Sequence, residues 1–319
     1  MSKKIVMRPS GVVPRRCLEK HNGILYRKNW HVHSSSRAAS AESGGAKHQS
    51  ITLIVSDVDG TLLNDRQELT ERTIKAIRRA EEEKGVPLMI ATGKACGPWT
   101  EKTLPALASP MPQIFLQGLY IRGVDGSVMY SNSLDRGVIE RVVDIANELN
   151  VTLVLYSSDR ILCRQTDHHT DRLIFYGEPI PEAVGDMVSY LVNNNDVVIY
   201  KCIFMADEES ITTRVRPMVM DSLQGVSYTS ALPGMLEVLP PGSSKGKGVS
   251  FVLDALDIHP ETVMALGDGE NDVEMLSMVG LGIAVANATE RLKKSATVVS
   301  SYTNNEEAVA RSIERYVLL

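Results

Sequence analysis

Aromatic residues are scarce in this chain of 319 residues: they make up 5%, with only four Phe. A core with so few rings must be built from Val, Ile, Leu, Ala and Met, the composition of buried parallel strands flanked by helices more than of a β-sandwich. Cysteine is scarce as well. Cys17, Cys96, Cys163 and Cys202 lie far apart, which signals neither a disulfide framework nor a paired-cysteine zinc site and fits a reducing compartment. No run approaches the ~20 apolar residues that a bilayer-crossing helix needs, so the expectation is no membrane span. The 23 Gly and 14 Pro follow no period, which argues against a fibre. What remains is an ordinary globular composition, 43% hydrophobic and 23% charged, long enough for two domains of ~100–200 residues each.

The net charge of -5 is unevenly spread. Residues 1–50 hold ten Lys or Arg against Glu19 and Glu42, a local +8, which leaves 24 basic and 37 acidic residues, or -13, for the rest. Nucleic-acid binding needs clustered cations to displace counterions from phosphates, and the acidic body offers no such cluster. The leader is basic and poor in acids, and it carries Ser34-Ser35-Ser36-Arg37-Ala38-Ala39-Ser40-Ala41. It reads as an organellar transit peptide, plastid or mitochondrial, because it lacks the apolar stretch of a secretory signal. A merely disordered basic tail is the competing reading, and the protein is then expected in the cytoplasm.

In the remainder, Ile51–Ser56 is a short apolar β-branched run that predicts a buried strand ending at Asp57. Thr70 is placed to N-cap a helix carrying Ile74, Ile77 and Ala80 on one face until Gly85, and Val86–Ala91 predicts the next strand. Such a crossover sets Asp57 and Thr92 side by side at the carboxyl edge of a parallel sheet, where ligands bind. The rhythm returns late: helix 247–256, strand 263–266, helix 273–278, strand 281–285, helix 289–295, strand 297–300 and helix 305–316. Between the halves the pattern is mixed, with strands at 151–156, 161–164 and 197–205 and helices at 137–149 and 210–221. The expected architecture is α/β: a doubly wound parallel-sheet core over 51–119 and 239–319, with an α/β cap domain inserted over 120–238.

Four clusters fall at strand ends: Asp57-Val58-Asp59-Gly60-Thr61, Thr92-Gly93, Lys245, and Gly267-Asp268-Gly269-Glu270-Asn271-Asp272. Up to four carboxylates at one sheet edge repel one another, and a hard divalent cation with oxygen ligands, Mg²⁺ best of all beside a phosphate, relieves that repulsion. Thr92 and the amides after it can hold phosphate oxygens, and Lys245 supplies a point positive charge. Taken singly each piece is also a common turn or helix cap. The argument rests on their conjunction and order.

These segments, with Leu236-Glu237-Val238-Leu239-Pro240 and Val273-Glu274-Met275, resemble the haloacid dehalogenase superfamily, specifically its Cof-type phosphatases of subclass IIB, over nearly all of residues 51–319. The resemblance implies that Asp57 is the nucleophile and Asp59 the general acid/base. It implies that Asp57, the Asp59 carbonyl and Asp268 hold Mg²⁺, and that Thr92, Gly93, Lys245 and Asn271 hold the phosphoryl group, with Asp272 positioning a metal-bound water or Lys245. The chain departs from the pattern at Lys94, where Arg is common, and at Gln117, where Asn is common; neither is expected to touch the reaction core. The implied activity is hydrolysis of small phosphorylated metabolites through an aspartyl phosphate, by a monomer or homodimer. The alternatives are a phosphohexomutase of the same superfamily and a non-catalytic phosphometabolite-binding module. Arg122, Tyr156, Arg160, Arg164, His168 and Lys201 are the candidate leaving-group contacts in the insert, and His168-His169 reads as a solvated loop.

Overall fold

The computed structural model describes residues 50–230 and 232–319; the proposed leader, with Cys17, lies outside them. Leu53–Ser56 is wholly buried, as an apolar run covered on both faces must be. It is an interior strand, flanked on both sides, of a five-stranded parallel sheet ordered Val298–Val299, Leu281–Ala284, Val263–Gly267, Leu53–Ser56, Leu88–Ile90. Register pairs Ser56 with Leu266 on one side and with Ile90 on the other, so Asp57, Asp268 and Thr92 emerge at one edge. The crossover helix Glu71–Lys84 begins where Thr70 accepts the Thr73 N–H. It ends at Gly85, which takes a left-handed φ of 69° that any side chain would oppose.

A second sheet of six strands follows the order Ser227–Thr229, Met235–Leu239, Lys201–Met205, Thr152–Tyr156, Ile161–Cys163, Glu182–Ala183. Its pairs are antiparallel except the last. Period-two alternation divides its side chains. Leu153, Leu155, Cys202, Phe204, Leu236 and Val238 pack with the helices Arg136–Leu149 and Met187–Asn193, while Val154, Tyr156, Ile203, Met205, Met235 and Leu239 join the cluster that includes Leu62, Trp99 and Phe115 of the first unit. Lys201 and Glu237 share the parity of Ile203 and Met235, so both project toward the edge that carries Asp57.

Tyr120–Ser131, expected at the start of the insert, lies on the core side. Its strands Tyr120–Arg122 and Val128–Ser131 pair with Gln113–Phe115, and Ile121 packs with Leu53 and Val55. Expected helix 210–221 forms even though Pro217 falls inside it: the backbone widens over Ile211–Val215, just before the ring that would strike the preceding turn. Helix 305–316 starts later than expected, at Ala308, after an Asn304–Glu306 turn and Glu307 at a φ of 63°. His168 and His169 open a helix, His168–Phe175, capped by Asp167, and do not lie in a loop. None of the helices among the described residues is long and apolar enough to cross a membrane.

Candidate active site

Past Leu53–Ser56 the chain makes one irregular turn, Val58–Leu62, where Asp59 and Gly60 leave helical geometry. Gly60 has a φ of 74°, and a Cβ there would overlap the Asp268 carboxylate, so the turn brings backbone against that acid as only glycine permits. Across the edge, Ser244 caps helix Lys245–Ala255 and sets Lys245 in its first turn, pointing back into the sheet edge. The Lys245 Nζ stands 2.6 Å from Asp57 Oδ1 and 2.6 Å from Asp272 Oδ1, with no exposure of its side chain. Burial alone would push such an ammonium to lose its proton, but Asp272 and Asp57 outweigh it and hold Lys245 above the ordinary lysine value.

Asp57, Asp268 and Asp272 offer oxygens within 4.8 Å of one another. Burial, then the charges of Asp57 and Asp272, drive the Asp268 carboxyl well above the usual carboxylate range. Burial also raises Asp272, against the pull of Lys245. The oxygens are not equally available. Asp272 spends Oδ1 on Lys245 and Oδ2 on the backbone N–H groups of Asp268 and Gly269, both at 3.0 Å. Asp268 takes a hydrogen bond at Oδ1 from Thr61, at 3.1 Å, and among the described residues the Oδ2 atoms of Asp57 and Asp268 have no protein donor. Hard oxygens that are buried and mutually repelled suit a divalent cation, and Asp57 with Asp268 are the pair able to hold it.

A cavity of about 340 Å³ opens from this edge toward the second sheet. Asp57, Asp59, Thr92, Gly93, Asp268 and Asn271 line it, so six of the seven expected site residues share one wall, and Lys245 stands just behind. Of the six insert candidates only Tyr156 and Lys201 reach it. Arg160 is held by both Glu182 oxygens and by Tyr190, Arg164 bonds Asn147, and His168 stacks on His169; Arg122 is also absent from the cavity wall.

Lys94 and Gln117, expected to stand clear of the reaction core, do not. The Lys94 Nζ is 3.0 Å from Asp59 Oδ1. Gln117 lies in a buried run, Leu116-Gln117-Gly118, with three consecutive positive φ values of 52°, 59° and 87°, a strained path that aims its amide across the seam. Its Nε2 donates to Glu237 at 3.1 Å, and its Oε1 accepts from Asn271 Nδ2 at 3.1 Å. Lys201 donates to Glu237 and to the Gly93 carbonyl, each at 2.8 Å, with the Tyr156 ring beneath it. The loop after Thr92 is thus the seat of the second sheet.

Glu178 was not singled out by sequence. Folding buries it to 6% exposure, where Ala95 N–H donates to Oε2 at 3.0 Å and Tyr156 OH to Oε1 at 3.4 Å. Burial pushes its pKa up to about 7, against the opposing charges of Lys94 and Lys201 and the Ala95 hydrogen bond. A carboxyl raised in this way contributes stability that is complete below about pH 4.5 and lost as pH rises through about 7. Glu178→Gln keeps an acceptor for Ala95 without the charge. Urea unfolding is expected to show the variant gaining about 3 kcal/mol on wild type between pH 4.5 and pH 8.5. An equal difference at both pH values would mean that Glu178 is not raised.

A family model described as haloacid dehalogenase-like hydrolase matches residues 54–313. The chain is 35% identical over 274 residues to the chloroplastic endoribonuclease YBEY of Arabidopsis thaliana, a match covering 82% of this chain and 46% of that protein, so it spans under half of that relative. It is 29% identical over 272 residues to the 5-amino-6-(5-phospho-D-ribitylamino)uracil phosphatase YcsE of Bacillus subtilis, covering 84% and 96% respectively. Among solved structures, the phosphatase BT1666 of Bacteroides thetaiotaomicron superposes with a TM-score of 0.73 at 25% identity, over 88% of this chain and all of that one.

Proposed function

The chain belongs to the haloacid dehalogenase-like hydrolases, and on that premise we propose that it is a Mg²⁺-dependent phosphatase that hydrolyses small phosphorylated metabolites through a phosphorylated Asp57. The observation that carries this reading is the Lys245 ammonium fixed between Asp57 and Asp272, which presents one face of a buried carboxylate to a cavity and holds the other.

In the first step the Asp57 carboxylate attacks phosphorus, forming the acyl phosphate bond while the bond from phosphorus to the substrate oxygen breaks. Asp59 gives its proton to the departing oxygen. In the second step Asp59 takes a proton from water, which attacks phosphorus, releases inorganic phosphate and restores the Asp57 carboxylate. Thr92, Gly93 and Asn271 hold the phosphoryl oxygens, and Lys245 offsets the repulsion between carboxylate and phosphate. Asp57, Asp268 and the Asp59 carbonyl would hold Mg²⁺, which when bound supplies charge neutralisation at the transferring group.

A cavity of about 340 Å³ suits a small metabolite and supports that substrate class. That YcsE is named for a phosphorylated ribitylamino-uracil supports the substrate class. The ribonuclease activity named for the Arabidopsis relative is not carried over, because an acidic body gives RNA no cationic track. The plastid location in that relative's name supports the reading of residues 1–50 as an organellar address.

Hydrolysis of p-nitrophenyl phosphate is expected with Mg²⁺ and to fall by about 10²-fold or more in EDTA, with recovery on adding Mg²⁺. A screen of phosphometabolites by phosphate release then selects the substrate. Hexose 1-phosphate converted to the 6-phosphate would indicate the mutase, and inactivity on every ester would leave only a binding module.

A further inference from the structure

Lys94, two residues past Thr92, lines the same cavity, yet its side chain is only 4% exposed. An ammonium has three N–H donors. One goes to Asp59 Oδ1 at 3.0 Å, a second to Gln67 Oε1 at 3.3 Å, and the third to the carbonyl of Tyr176. The Trp99 and Tyr176 rings lie 5.1 Å and 5.9 Å from the nitrogen. Trp99 is itself pinned: its indole N–H bonds the Ala95 carbonyl at 2.8 Å, and its backbone N–H bonds that of Gly177 at 3.3 Å. The ammonium is therefore saturated by protein groups and has no donor to spend on substrate. Its acceptors come from three places: Asp59 from the catalytic turn, Gln67 from the segment after it, and Tyr176 from the inserted domain.

We propose that Lys94 is a positioning residue that holds the Asp59 carboxyl for proton transfer, and that its grip is complete only when the inserted domain supplies the Tyr176 carbonyl. The inference rests on the reading of Asp59 as proton donor to the leaving oxygen. It makes seating of the second domain and readiness of the acid one event, because withdrawing Tyr176 frees one donor of the ammonium that fixes Asp59. A compact ammonium suits this box, since the wider planar fork of arginine reaches three converging acceptors less directly.

The test uses leaving-group dependence. The constant kcat/KM covers steps only through departure of the leaving group, and a nitrophenolate departs without a proton whereas an alkoxide does not. In Lys94→Met and Lys94→Gln the ratio of kcat/KM for β-glycerophosphate to that for p-nitrophenyl phosphate is expected to fall at least about tenfold. Inhibition by inorganic phosphate is expected to weaken by less than about threefold. Lys94→Arg, which keeps the charge but meets the three acceptors less directly, should restore part of the ratio. Gln retains a donor for the Tyr176 carbonyl, so that variant carries the test if the Met variant fails to fold. An unchanged ratio in a folded variant overturns the proposal. So does an equal loss on both esters with much weaker phosphate inhibition, which would place Lys94 on the phosphoryl group. Failure of the phosphatase reading itself would show separately, as a wild-type protein that releases phosphate from neither ester.

Discussion

Asp57→Asn is expected to lower phosphatase turnover by about 10⁴-fold or more while the protein still folds. Asparagine has the shape of aspartate and its amide oxygen can still accept from Lys245, which retains Asp272 as its ionic partner. Lost is the carboxylate that attacks phosphorus. Stability should not suffer, because the substitution removes one of the two charges that raise the Asp268 pKa. The variant should thus melt at or above the wild-type temperature in EDTA, and gain less from added Mg²⁺, having lost one of the two oxygens available to the ion. Acid-quenched wild type incubated with p-nitrophenyl phosphate should carry a phosphoryl group on the peptide containing Asp57. Near-wild-type turnover in the variant, or a phosphoryl group trapped on another residue, would sink the assignment.

Asp57, Thr92 and Asp268 were legible because their positions follow from one local rule applied several times. An apolar run of four to six residues is a strand, successive runs joined by helices are parallel, and the residue after each run stands at the same edge. Lys245 was legible by resemblance and by its conjunction with the other clusters, since a lysine in a Gly/Ser-rich stretch read alone is merely solvated. Its double ion pair was not, since that depends on how far helix Lys245–Ala255 is tilted toward the sheet.

Lys94, Gln117 and Glu178 were misread or passed over for a common reason. Each takes its role from the docking of two units separated by long stretches of chain: Lys94 meets Tyr176, Gln117 meets Glu237, and Glu178 meets Ala95. No local pattern encodes such a meeting. Strand parity comes nearest, because once Ile203 and Met235 are known to face inward, Lys201 and Glu237 must as well. The early hairpin was mistaken for part of the insert because its strands are only three and four residues long. Its turn, Gly123-Val124-Asp125-Gly126, is the feature that could have revealed it.

Lys245→Met is expected to be the most destabilising substitution in the site as well as an inactivating one. Methionine preserves the length of the aliphatic stem, so the difference isolates the charge. Removing the ammonium leaves Asp57, Asp268 and Asp272 facing one another with side-chain exposures of 9% for Asp57 and 0% for Asp272. Breaking a buried pair from one side costs about 3–5 kcal/mol, which for a protein of this size lowers Tm by about 10 °C, and turnover should fall by about 10³-fold. The pH dependence gives the sign of the cause. Burial already raises both Asp268 and Asp272, and loss of Lys245 removes the charge that opposes the shift in both. Across the range in which these carboxyls titrate they therefore hold more protons in the folded variant than in folded wild type, so its deficit grows as pH rises and shrinks on acidification. Added Mg²⁺ should raise the variant's Tm more than that of wild type, since it replaces the missing positive charge. Thermal melts at pH 5 and pH 8 distinguish the possibilities: a deficit of equal size at both would assign the loss to packing of the stem and remove the electrostatic role from Lys245.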